Sequence, residues 1–208
     1  VNVSELTSLE LLDVQKCKLQ SLDVTKNLRL TSLVCSENEL TSLDVSNNTS
    51  LVKFYCNDNK LPKINVVANT ALQEFDISNN LLSALNIRSN TALTYLNVSN
   101  NAELSMVDVK YNTALEVLIA SGLAITDIDL TANTALKGAE LFNTNLTATK
   151  KLDTTGLGVY IEKTPYSRGK MMSITEVSKN WSDAKTWCSN YGTGWYLPSF
   201  DELKVIYN

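Results

Sequence analysis

Apolar and polar positions alternate along this chain with a fixed long period. The segments Leu22-Asp23-Val24, Leu43-Asp44-Val45, Ile64-Asn65-Val66, Leu85-Asn86-Ile87, Val107-Asp108-Val109 and Ile128-Asp129-Leu130 begin 21, 21, 21, 22 and 21 residues apart. A second apolar register keeps the same intervals through Leu33, Phe54, Phe75, Leu96, Leu118 and Ala139. The one longer interval comes from an extra residue near Ala102, ahead of Leu104. Val1, Val3, Leu6, Leu9, Leu12 and Val14 fit the same phase, so the chain opens inside a repeat and runs through roughly seven turns. Self-similarity at such a period is the mark of stacked repeats rather than of a globule with one central core.

Within each turn, period-2 alternation in stretches such as Leu85-Asn86-Ile87 and Leu96-Asn97-Val98 predicts two short strands with Leu, Val and Ile pointing inward. A turn of about 21 residues leaves little room for a helix on the far side. Strands or extended segments are therefore expected on both faces, with parallel neighbours about 4.8 Å apart. Asn27, Asn48, Asn69, Asn90, Asn112 and Asn133 follow one apolar stretch, and Asn38, Asn59, Asn80 and Asn101 follow the other. Asn suits tight corners and its amide can bond neighbouring backbone groups, so both columns read as structural.

The recurring pattern L-x-x-L-x-(V/C/I)-x-x-N-x-L, seen in Leu30, Leu33, Cys35, Asn38 and Leu40, resembles the leucine-rich-repeat family over residues 1–146. Phrases such as "NTALTYLNVSNN" and "LTSLDVSNN" look like the repeats of surface lipoproteins from anaerobic gut bacteria, and more distantly like internalins. The resemblance implies a right-handed leucine-rich-repeat solenoid, mainly β, with turns of 21–22 residues. It also implies a bacterial chain that is secreted or anchored at the outer surface of the cell envelope.

In that family the strand carrying L-x-x-L-x-L lines the concave face, and the residues between the leucines meet the ligand. Carried over by position, the central exposed column is Asp13, Val34, Tyr55, Asp76, Asn97, Ile119 and Glu140, and the flanking columns include Lys53, Glu74, Tyr95, Val117, Asn57, Ser99 and Phe142. The candidate binding residues are Tyr55, Asp76, Tyr95, Asn97, Val117, Ile119, Glu140 and Phe142, with Tyr95, Val117, Ile119 and Phe142 clustering toward the C-terminal half. Apolar patches with polar rims mark interaction sites. The same patch has a second reading, as a surface covered by the C-terminal segment, and the sequence leaves both open.

Composition narrows the function. Net charge is −4 with no long basic run, which argues against nucleic acid. No apolar stretch approaches the roughly 20 residues that span a bilayer. The chain starts at Val1 without an initiator Met or signal peptide and reads as a mature or trimmed product. Histidine is absent, which removes the commonest general base and metal ligand. A hydrolase would need two carboxylates in a cleft, yet Asp76 and Glu140 lie three turns apart, about 14 Å at sheet spacing. No enzyme activity, cofactor or metal site is expected.

Two side-chain columns bear on metal chemistry. Cys35 and Cys56 occupy equivalent inward positions in adjacent turns, and Cys17 takes a corner where later turns carry Asn. With no C-x-x-C pair and no histidine, buried free thiols fit better than zinc, and parallel Cβ vectors fit better than a disulfide. The outward column Asp23, Asp44, Asn65, Asn86, Asp108, Asp129 is interrupted by neutral Asn, so it reads as a solvated face and not a calcium ladder.

Past residue 146 the repeat decays into Thr, Lys and Gly, which reads as a linker over 147–158. Residues 159–208 then read as a short α+β segment. Val159-Tyr160-Ile161-Glu162 and Lys170 through Val177 are strand candidates, and helices start near Ser182 and Ser199. Trp181, Ala184, Cys188, Gly194, Leu197, Pro198, Glu202 and Leu203 resemble the opening of a C-type-lectin-like domain. That family's calcium and sugar ligands come from later loops, so none is carried over; the segment is expected to be a relic that caps the solenoid or a fragment of a longer protein. Two functions therefore compete. One is a non-catalytic surface protein binding a protein or glycan on its concave face; the other is a structural or adhesion spacer carrying a truncated lectin-like module.

Overall fold

A computed structural model describes residues 1–141 and 143–146 and the backbone of 158–161. Seven strands recur at the predicted period: β1 (Leu11–Asp13), β2 (Ser32–Val34), β3 (Lys53–Tyr55), β4 (Glu74–Asp76), β5 (Tyr95–Asn97), β6 (Val117–Ile119) and β7 (Gly138–Leu141). With β8 (Gly158–Ile161) they form one parallel sheet in chain order. The register pairs equivalent residues throughout, as in Phe54↔Phe75, Phe75↔Leu96 and Leu96↔Leu118, so the extra residue near Ala102 does not disturb it. The strand expected at Val159 is β8, paired in parallel with β7. The remaining C-terminal elements, the lectin-like motif and Cys188 lie outside the described residues.

Only one of the two expected strands per turn forms. The Leu22-Asp23-Val24 stretch and its equivalents are not strands among the described residues. The reason lies in where their backbone groups go. The Val24 carbonyl accepts from the Asn27 N–H at 3.0 Å and from the Asn48 amide at 3.0 Å. The Thr25 N–H donates to the Asp23 carboxylate at 2.9 Å. Groups that a ladder would use are consumed by the corner, and the pattern repeats at Asp44, Asp108 and Asp129, each accepting the N–H two residues on. The column read as a merely solvated face therefore closes turns.

The core is a set of stacked columns. Leu33, Phe54, Phe75, Leu96 and Leu118 are fully buried, and the Phe54 and Phe75 rings stack with centroids 5.3 Å apart. Each such side chain contributes roughly 1.5–3 kcal/mol by leaving water. The two Asn columns hold the corners together in different ways. Asn80 donates to the carbonyls of Cys56, Ile77 and Ser78 while its oxygen accepts the Leu61 N–H at 2.9 Å. Asn69 donates to the carbonyls of Val45 and Asn48, and its buried oxygen has no hydrogen-bond partner. The tight left-handed backbone falls one residue before the first ladder, at Lys16, Glu37, Asp58, Asn79 and Asn100, with Gly122 next in the column.

Cys35 and Cys56 are free and fully buried, and Cys17 is free and exposed. Burial pushes the Cys35 thiol up to about 12 and raises Cys56 as well. Because the thiolate is the reactive form, an alkylating reagent at pH 8 is expected to label Cys17 in the folded protein. Cys35 and Cys56 should react only after denaturation. Peptide mapping checks this, and rapid native labelling of Cys56 would contradict the buried stack.

Candidate functional site

The side chains between the inward columns stand on the open face of the sheet. The register sets Tyr55 beside Asp76, Asp76 beside Asn97, Asn97 beside Ile119 and Ile119 beside Glu140. In the flanking column Glu74 lies beside Tyr95, and Tyr95 beside Val117. Seven of the eight candidate residues are thus on one face and half-buried, their exposure limited by neighbours one strand away. Phe142 lies outside the described residues.

Two polar clusters organise the centre of this face. Glu74 pairs with Lys53 at 3.1 Å and accepts the Tyr55 hydroxyl. The Lys53 ammonium sits 4.6 Å from the centroid of the Tyr55 ring, inside the range of a cation–π contact. Asp76 accepts the N–H and hydroxyl of Ser78 at 2.9 and 2.7 Å, and the Asn97 amide at 3.0 Å. Asn97 in turn accepts the Ser99 N–H at 3.1 Å. The periodicity places all of these residues on the face. It gives no sign of which would lean together, because that depends on side-chain direction across strands. Position in the repeat puts Ser99 in a flanking column, but the recurrence of Ser at 36 and 78 in the same register is the signal that finds this buried polar border of the face.

Electrostatics follow the contacts. Burial first, then the hydrogen bond to Glu74, raises the Tyr55 phenol. Burial and the negative charge of Asp76 push Tyr95 up to about 12. The Tyr55 hydroxyl, then Lys53, holds Glu74 below the usual carboxylate range. Asp44 and Asp108 are lowered by the backbone N–H groups of Ser46 and Lys110. Carboxyls depressed in the folded state contribute stability above their unfolded values, near 4, and lose it as pH falls through the lower folded values. The raised tyrosines contribute below about 10 and lose that contribution as pH rises toward 12. Melting temperature is expected to be flat between about pH 5 and 9 and to fall on both sides. A melting temperature that rises on acidification from pH 5 to 3 would contradict the assignment.

This arrangement offers rings, aliphatic surface and fixed charge. No protein-family profile matches the chain, and no curated protein matches it. Solved structures do. Over 78% of this chain, the functional domain of InlJ from Listeria monocytogenes, which includes a cysteine ladder, superposes with a TM-score of 0.54 at 24% identity. A leucine-rich-repeat protein of Leptospira interrogans matches 77% of the chain with a TM-score of 0.65 at 21% identity. The internalin InlF of Listeria monocytogenes matches 77% with a TM-score of 0.63 at 25% identity. The chain spans about half of their length, 45%, 46% and 52% respectively. By fold the chain is a leucine-rich-repeat solenoid, a parallel β-stack with repeats of 21–22 residues.

Proposed function

We propose that this chain is a non-catalytic binding module that captures a protein partner on the open face of its sheet. Tyr55, Asp76, Tyr95, Asn97, Val117, Ile119 and Glu140 would make the contacts, with Phe142 extending the patch. The observation that carries this reading is the in-register pair of half-buried Tyr95 and Val117, with half-buried Ile119 two residues along β6, beside the Tyr55 and Asp76 clusters. Aromatic and aliphatic side chains beside desolvated polar groups are the composition of interface centres. The internalin and leucine-rich-repeat fold neighbours support the same class and point to a secreted or surface-anchored bacterial protein. Among the described residues no helix is long and apolar enough to cross a membrane. The division at residue 146, with a lectin-like cap or fragment after the linker, belongs to the same proposal.

The test is capture of binding partners from a library of displayed extracellular proteins, comparing the wild-type chain with Tyr95→Ser/Ile119→Ser. Both residues face outward, so the double variant should lose capture at least tenfold while the melting temperature changes little. Full capture by a folded double variant would remove this face from consideration.

A further inference from the structure

The Lys53–Tyr55–Glu74 cluster is a small seat for a cation. A ring at the third position of β3 and a carboxylate at the first position of β4 lie on one diagonal, and an ammonium occupies the space between them. The next diagonal repeats the pair with the roles exchanged. Asp76 stands at the third position of β4 and Tyr95 at the first position of β5. The charge of Asp76 reaches the Tyr95 phenol. The position that supplies the cation in the first seat, Lys53, is filled by Glu74 in the second. Among the described residues no Lys or Arg forms an ion pair with Asp76 or lies over the Tyr95 ring.

The hydrogen bonds at Asp76 discriminate between ligand classes. One carboxylate oxygen already accepts two bonds from Ser78, and the other accepts the Asn97 amide, whose own oxygen is taken by Ser99. Ser78 fills one carboxylate oxygen, while the other, bonded once by Asn97, keeps a direction for a cationic N–H rather than the several that paired sugar hydroxyls need. Among the described residues the donors to Asp76 are all neutral, so they solvate its charge without compensating it. Beside it, Val117 is in register with Tyr95, and Ile119 lies two strands from Asp76.

We propose that Asp76 and Tyr95 form a second cation seat, filled by a Lys or Arg of an extended basic segment of a protein partner. An apolar side chain two to three residues away settles on Val117 and Ile119. The spacing follows from strands about 4.8 Å apart and an extended chain that advances about 3.3 Å per residue. Arginine suits the seat because its planar cation can stack on the ring while bonding the carboxylate. This inference rests on the open face being the binding surface.

The experiment uses the whole chain and one peptide design in three versions, displayed densely on a biosensor surface so that weak contacts add. Each peptide carries a Leu two residues from a variable position, which is Arg, its neutral isostere citrulline, or Glu. The Arg peptide is expected to hold the protein at least tenfold more tightly than the other two, and increasingly so at low salt. Asp76→Asn keeps the oxygen that Ser78 bonds but sets its NH2 against the Asn97 amide, so it should bring the Arg peptide down to the citrulline level with the chain still folded and its melting temperature lowered by roughly a few degrees. Equal binding of Arg and citrulline peptides, no binding of any peptide, an Asp76→Asn variant that binds as tightly as wild type, or displacement by a neutral oligosaccharide such as maltohexaose would each overturn the seat. Tyr95→Ser/Ile119→Ser separates the two levels. If it abolishes peptide binding that is indifferent to charge, the face stands and the seat falls. If Arg-dependent binding survives it, both fall.

Discussion

Phe75→Ala is expected to lower the free energy of unfolding by about 3–5 kcal/mol. Phe75 is fully buried, sits mid-solenoid and stacks on Phe54 with an interplanar angle of 11°. Its neighbour in the next turn is Leu96, held in register by the ladder. Three-residue strands leave little freedom to collapse around the missing ring, so the loss of burial and the cavity both count. Phe54→Ala should cost a similar amount, and a double-mutant cycle should return a coupling of about 1 kcal/mol for the stacked pair. Urea denaturation monitored by circular dichroism measures both. A cost below about 1 kcal/mol for Phe75→Ala would mean that the column is loosely packed there.

The second large effect separates the two Asn ladders. Asn80→Ala strands the Leu61 N–H inside the corner and takes one bond from each of the carbonyls of Cys56, Ile77 and Ser78, which keep the Asn59 amide, the Asn101 amide and the Asp58 N–H respectively. Several buried groups lose a partner at once, and the expected cost is about 3 kcal/mol. Asn69→Ala takes one bond from the carbonyls of Val45 and Asn48, which keep the Asn48 and Leu51 N–H groups; it strands no donor and removes a buried oxygen that had no partner. Desolvating that oxygen without a bond is unfavourable, so its removal offsets part of the loss. Asn69→Ala should therefore be milder than Asn80→Ala by at least about 1 kcal/mol. Equal costs in the same denaturation assay would show that the ladders do equivalent work.

The fold was legible because burial here is periodic. Leu33, Phe54, Phe75 and Leu96 announce one inward column, and Asn59, Asn80 and Asn101 announce the corner that follows it. The false second strand arose because alternation reports which side chains are buried, whereas strand formation depends on where backbone groups bond. At Val24 those bonds go to the corner and to Asn48. The left-handed residues at Glu37 and Asp58 were hidden for a related reason, since neither residue type advertises that conformation as Gly122 does. For the candidate site, position along the repeat was enough to put Tyr55, Asp76, Tyr95 and Ile119 on one surface. It could not show that Tyr55 leans onto Glu74, or that Ser78 grips Asp76 from two residues away.

The longer turn shows where this coil tolerates change. Between Asn101 and Leu104 the backbone closes with a bond from the Leu104 N–H to the Asn101 carbonyl at 2.9 Å, and the Asn101 oxygen still holds the Leu82 N–H. The added residue is absorbed at the rim, and Tyr95 still meets Val117. Length and phase are thus uncoupled at that corner. A graft placed there, whether an epitope or a reporter loop, would bulge outward like a spur on a spiral staircase while every tread stays aligned.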